Sequence, residues 1–254
     1  MTLQLLIATV NGQFFKRGYV PPFDNYLVIN QVDRPGQPTG GGGDVFHYQE
    51  TGLSRSRNRA LQHATADLCL IGDDDVSYPE SAATIVAEAF RHNPSADIIT
   101  FQISTPDGVP FKRYGARQHW HTSRSIMRVT SCEIALRTRA IRSAGLRFDE
   151  QFGLGADFPT GEENIFLLDA LRRGMHILYV PVPVVVHPAY SSGGDFLNHD
   201  LIRAKGAMFR RMFGAASWVV ALAFACKKYR LSNVGCRHFY RLMCQGSAAY
   251  EATG

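Results

Sequence analysis

Short apolar runs alternate along most of this chain with segments whose apolar residues recur every three or four positions. The runs fall at residues 3–10, 26–29, 45–48, 68–71, 97–103, 132–136, 176–180 and 182–186. Most are bounded by Gly, Pro, Asn or Asp, which predicts strands. Helical spacing predicts helices over residues 54–64, 77–92, 138–144 and 164–173. Ser77-Tyr78-Pro79-Glu80 reads as a capping box opening the second of these, and Gly174 as the stop of the last. Strands alternating with helices predict a mainly parallel central sheet with helices on both faces. Residues 35–43, rich in Gly and Pro, read as a loop. From residue 201 onward the pattern changes to a helical tail, so the chain divides into a sheet domain over 1–200 and a tail over 201–254.

The chain has 254 residues, of which 45% are hydrophobic, enough for one sizeable core. Its net charge is +5, and the tail carries more than that excess. Arg203, Lys205, Arg210, Arg211, Lys227, Lys228, Arg230, Arg237 and Arg241 face a single acid there, Glu251. The run 214–226 is almost wholly apolar and sits between these cations. It reads either as a helix lying in an anionic membrane interface or as one packed on the sheet's flank; no stretch is expected to span a bilayer, and no nucleic acid partner is expected. Five cysteines without a CxxC pair, and an N-terminus lacking a signal-peptide pattern, point to the cytoplasm, with peripheral attachment to the inner face of the plasma membrane.

The candidate chemistry begins with Asp73-Asp74-Asp75, directly after the apolar run 68–71. Adjacent carboxylates repel one another and call for a cation; hard oxygen ligands suit Mg²⁺ or Mn²⁺. Open α/β sheets bind ligands at the carboxyl ends of their strands, where these acids fall. Asp75 is the expected metal ligand, and Asp73 and Asp74 lie beside it. His187 ends the last apolar run and is a candidate to complete the metal shell. Arg55, Arg57 and Arg59 stand upstream as candidate diphosphate contacts. Gly161-Glu162-Glu163 follows a glycine-containing loop and offers a general base, though Thr160 and Glu163 also have capping-box spacing. His119-Trp120-His121 lies in a polar, aromatic stretch, and Trp120 and His121 read as acceptor-side contacts.

The order of these signals resembles the family 2 glycosyltransferases of the GT-A fold. Ile7-Ala8-Thr9-Val10-Asn11 is similar to that family's first strand and turn. Gly52-Leu53-Ser54-Arg55-Ser56-Arg57-Asn58 resembles its Gly-Leu-Ser-x-x-Arg-Asn segment, and Asp73-Asp74-Asp75 its Asp-x-Asp motif. Phe148-Asp149-Glu150 and Gly161-Glu162-Glu163 stand where the family has Phe-Asp-Glu and Gly-Glu-Asp. The resemblance covers roughly residues 3–190 and implies inverting transfer of a sugar from a nucleotide-diphosphate donor, a UDP-sugar favoured, to a saccharide or lipid-linked acceptor in surface polysaccharide synthesis. It implies nucleotide contacts from Thr9, Asn11, Asn30, Arg57, Asn58, Asp73 and Asp74. It implies Asp75 as ligand of Mn²⁺ or Mg²⁺, and Glu163 as the base, with Glu162 as its rival. Asn30-Gln31 stand where the family has base-binding acids, so either these amides or Asp33 read the base. The competing readings are a sugar-phosphate nucleotidyltransferase and a non-catalytic nucleotide-sugar or membrane-binding relative.

Overall fold

The computed structural model describes residues 1–34, 44–188 and 196–252. The glycine-rich stretch expected as a loop at 35–43 lies outside them. Eight strands form one sheet in the order β3-β2-β1-β4-β7-β5-β8-β6. They are β1 Leu3–Val10, β2 Tyr26–Gln31, β3 Asp44–Tyr48, β4 Leu68–Asp73, β5 Ile98–Ser104, β6 His119–Trp120, β7 Ile134–Arg137 and β8 Ile177–Val186. Around them run α1 Gln13–Lys16, α2 Leu53–His63, α3 Ala82–His92, α4 Thr138–Ser143, α5 Glu162–Arg172, α6 His199–Phe213, α7 Ser217–Lys228 and α8 Cys236–Glu251.

The β3-β2-β1-β4 half of the sheet is parallel throughout. β7 enters antiparallel between β4 and β5, and β5 and β8 resume the parallel direction. β2 is buried along its whole length and β4 from Leu68 to Gly72, as expected of strands covered on both sides. Leu5, Ile7, Val28, Leu68, Leu70, Ile99 and Phe101 build the core with Val86 and Phe90 of α3. Each such side chain contributes about 1.5–3 kcal/mol by leaving water.

Two compact units emerge. The first holds Met1–Thr51, Arg55–Phe148 and Phe166–Ala189, which include the whole sheet. The second holds Gly52–Ser54, Asp149–Ile165 and Tyr190–Gly254. In it α6 and α8 pack backbone against backbone. A Cβ on Gly206 would overlap the Met243 carbonyl, and one on Gly246 the Arg203 carbonyl. Phe196, Phe209, Phe224 and Phe239 form a ring cluster beside this contact, with centroid separations of 5.3–6.3 Å.

Two expectations are corrected. Ser77 does not cap α3, which starts at Ala82 behind Ser81. Ser77 instead exchanges both backbone hydrogen bonds with Val186, at 2.9 and 2.8 Å, so the segment after the acids is extended. The tail also contains a continuous helical run, His199–Leu231, long and apolar enough by composition to pass as a membrane span, with mean hydropathy 1.3 over its best window. That run joins α6 to α7 through a bend at Gly214, whose φ is 54°.

Candidate active site

The carboxyl ends of β1, β2 and β4 are level, because Ala8 pairs with both Ile29 and Asp73. The three acids therefore emerge beside the Thr9–Gly12 turn. They have three different environments. Asp73 accepts from the Arg57 guanidinium at 2.8 Å and from Ser131 Oγ at 3.1 Å. Arg57 is buried, and its guanidinium also lies 5.6 Å from the Phe148 ring centre. Asp74 accepts from Thr9 Oγ1 at 2.5 Å, and Thr9 Oγ1 accepts from Phe14 N at 3.0 Å. Burial raises the Asp74 pKa, the Thr9 hydrogen bond opposes that shift, and the neighbouring Asp75 and Asp73 charges add to it. Asp75 is exposed, at 62% of its side chain.

His187 approaches this exposed acid: its Nε2 lies 3.8 Å from Asp75 Oδ2. The reciprocal Ser77–Val186 pairing explains the approach, since it ties the residues after Asp75 to the end of β8. His187 Nδ1 lies 2.6 Å from the Pro188 carbonyl, which as an acceptor places the proton on Nδ1 and leaves Nε2 free to ligate. A hard carboxylate and one imidazole match the partial donor set with which Mg²⁺ or Mn²⁺ is held when substrate phosphates and water complete the shell. No larger group of His, Cys, Asp or Glu suited to a metal occurs among the described residues.

Several residues expected to touch the nucleotide are engaged in holding the scaffold. Asn30 is fully buried; its Oδ1 accepts from Gly12 N at 2.9 Å and its Nδ2 lies 3.2 Å from His47 Nδ1. Asn58 exchanges two hydrogen bonds with the Phe148 backbone, at 3.0 and 2.8 Å. Arg59 grips Glu50 through two nitrogens, at 3.3 and 3.1 Å, and lies over the Tyr48 ring. Asn30, Asn58 and Arg59 thus spend polar groups on neighbouring protein atoms. Thr9 and Arg57 stand behind Asp74 and Asp73. Asn11 remains at the surface, with φ of 49°, and exchanges hydrogen bonds with Asp33 at 2.8 and 3.2 Å. Arg55 is exposed.

Trp120 and His121 lie at the β6 edge of the sheet, away from the acids. β6 pairs with the amino end of β8, Trp120 opposite Leu178. Following the register through Ile99 and Ala135 to Leu70 puts Trp120 about 10 Å down the strands from Asp73 and roughly 19 Å across the sheet. His121 is held by Thr100 Oγ1 at 2.7 Å and Ser125 Oγ at 2.9 Å. Burial lowers its pKa to about 4, with smaller contributions from His119 and Lys112. It is a neutral structural histidine.

Sequence patterning gave no sign of three supporting groups. Arg17 donates to the carbonyls of Asp74 and Val76. Ser131 holds Asp73. Lys112, Tyr114 and the Thr130 backbone amide converge on the buried Glu133 carboxylate, at 2.6, 2.6 and 3.1 Å. Burial raises the Glu133 pKa, and Lys112 opposes that shift. The only signal available was an acid three residues after Thr130, which does form a capping box.

The candidate base belongs to the second unit. There Glu162 and Glu163 open α5, where a helix terminus favours negative charge. Glu162 is buried against the turn at Gly153: a Cβ there would lie 3.3 Å from its carboxyl carbon. Glu163 is less buried. Lys205 of α6 donates to Thr160 Oγ1 at 3.0 Å. Burial lowers the Lys205 pKa, while Glu163 and then Glu162 oppose that shift.

The family model described as Glycosyl transferase family 2 matches residues 40–149. No curated protein sequence matches. Among solved structures, the crystal structure of S. aureus TarS shares 15% identity at a TM-score of 0.56, covering 92% of this chain. This chain spans only 44% of that TarS chain. TarS 1-349 in complex with UDP-GlcNAc gives the same score and identity over 91% of this chain and 74% of that one. TarS 1-349 alone gives 13% identity over the whole of this chain and 91% of that one. The matched segment contains the acids and the Arg57–Asn58 helix; over it the chain is similar to glycosyl transferase family 2, and across most of its length it shares the GT-A fold of the TarS structures.

Proposed function

We propose that the chain is an inverting, metal-dependent transferase that moves a sugar from a nucleotide-diphosphate donor, a UDP-sugar favoured, to a hydroxyl of a saccharide or lipid-linked acceptor in surface polysaccharide synthesis. The observation that carries this reading is the graded acid cluster. Two of its carboxylates are fixed by Arg57, Ser131 and Thr9, and the third is exposed beside His187. A nucleotide-binding fold holding such a cluster at its strand ends fits a charged diphosphate bridged to the protein by a cation. The UDP and UDP-GlcNAc complexes of TarS favour UDP as the nucleotide.

In this reading Asp75 and His187 hold Mn²⁺ or Mg²⁺, which when bound offsets the charge growing on the leaving diphosphate. Thr9 and Arg57 keep Asp74 and Asp73 in place. The Asn11–Asp33 pair, at the ends of β1 and β2, replaces Asn30 as our candidate for reading the base. Glu163 removes the proton from the acceptor hydroxyl as that oxygen attacks the sugar carbon opposite the departing diphosphate. Glu162, packed against the Gly153 turn, positions the start of α5.

The test is a thermal-shift and turnover assay with a panel of nucleotide sugars, with Mn²⁺ or with chelator. A UDP-sugar should raise the melting temperature only with the metal present, and free UDP should accumulate. A panel in which nothing binds or turns over, with or without metal, would overturn the proposal. Asp75→Ala should reduce metal-dependent turnover at least about 100-fold, the scale of losing one group that stabilises transition-state charge.

A further inference from the structure

Helix α7 is built inside out. Its buried residues are small: Ser217, Ala221 and Ala225. Its large apolar residues face water, with Trp218 60%, Val219 49% and Leu222 43% exposed. At about 100° per residue, Trp218, Leu222, Cys226, Val219 and Ala223 fill one continuous arc of about 140°, and all five are exposed. No charge interrupts the arc. Lys227 borders it, and Lys228 and Arg230 follow at the same end of the helix. A helix meant only to pack within its unit would turn its large side chains inward, as Phe224 does among Phe196, Phe209 and Phe239.

We propose that α7 docks in the plane of an anionic lipid surface, with Trp218, Val219 and Leu222 entering the acyl boundary and Lys227, Lys228 and Arg230 meeting the headgroups. This surface does not depend on the glycosyl-transfer reading. A bilayer-spanning role does not fit. The run His199–Leu231 passes by length and composition, but it bends at Gly214, and the twelve residues of α7 beyond the bend make about 18 Å against a hydrocarbon core of about 30 Å. α6 cannot extend it, because its Gly206 face is pressed against α8. A second copy of the chain is a poorer occupant than lipid, since it would bring the same cations Lys227, Lys228 and Arg230 to the contact and no acid from residues 201–250 to meet them. An anionic leaflet supplies the missing countercharge: Glu251 is the only acid after residue 200, and it already pairs with Arg210.

The 254-residue chain carrying Trp120→Phe leaves Trp218 as its only tryptophan and a reporter of its own surroundings. With vesicles of phosphatidylcholine and phosphatidylglycerol its emission should shift to the blue and the protein should co-sediment. Both effects should fade with phosphatidylcholine alone and with added salt. Leu222→Ser should weaken vesicle binding about tenfold or more, and Lys227→Gln about fivefold. Both positions are exposed, so the melting temperature should hold. Emission unchanged by vesicles, equal binding to neutral vesicles, or a blue shift that grows with protein concentration without lipid would overturn the proposal; the last would identify a second copy as the occupant.

Discussion

Arg57 and Asp73 are separated by a helix and a strand, yet the guanidinium is nearly inaccessible while the carboxylate side chain keeps 25% of its surface. That asymmetry sets the cost of breaking the pair. Arg57→Met should destabilise the chain by about 2–4 kcal/mol in urea unfolding, short of a fully buried pair because water still reaches Asp73. Arg57→Lys should recover only part of this, since an ammonium cannot reproduce the planar fork. His121 gives a prediction of opposite character. Its folded pKa, about 4, lies below the ordinary value of 6.5. The unfolded chain therefore binds a proton that the folded chain refuses. Stability is fully present above pH 6.5 and is lost as pH falls toward 4, by on the order of 2–3 kcal/mol at most. The melting temperature should decline across that window, and His121→Gln should flatten the decline. Sequence patterning singled out Asp75, His187 and Glu163 by residue type and by strand-end or helix-start placement alone, and their roles rest on the proposed function. It did not show what holds Asn30, Asn58 and His121. A polar residue looks available until the groups that satisfy it are known, and those groups are 18, 90 and 21 residues away.

Among the elements, the long apolar runs were legible because full burial on both sides leaves no ambiguity of pattern. β2 and β4 are the clearest cases, each only two residues longer than its apolar run because the polar ends stay in register with β1. The start of α3 was not legible. Ser77 has every local feature of a cap, and the competing partner is Val186, more than a hundred residues later. That same pairing carries His187 to Asp75, so the failure of the local rule coincides with the candidate site. β6 was read as part of an irregular stretch, since two exposed residues show no alternation. The contact between α6 and α8 rests on two glycines whose role no hydrophobic pattern reveals. Gly246→Ala would force a methyl group into the Arg203 carbonyl, where neither backbone can yield without separating the helices. It should cost about 3 kcal/mol or more, the upper range for overpacking, and Gly206→Ala should do the same against Met243. Alanine at the exposed Gly235, where a Cβ meets nothing, is the control that should leave the unfolding midpoint nearly unchanged.

For the molecule as a whole, the acid cluster belongs to the first compact unit, and Glu162 and Glu163 to the second. The roles proposed for Asp75 and Glu163 predict that donor binding and transfer can be separated by mutation. Glu163→Gln keeps the size of the side chain and its place in the first turn of α5 but removes its basicity. It should lower turnover at least about 100-fold while the metal-dependent thermal shift with UDP-sugar stays close to wild type. Asp75→Ala should abolish both. Glu162→Gln, at the buried neighbour, should act mainly on stability, because its carboxyl packs at the Gly153 turn. The comparison discriminates sharply. If Glu163→Gln loses donor binding along with turnover, its role is to cap α5 and the base must be sought elsewhere, Glu162 first. If it keeps both, Glu163 is neither. Only intact binding with lost transfer assigns the proton to Glu163, and a pH–rate profile whose acidic limb disappears in the variant would mark that group as the base.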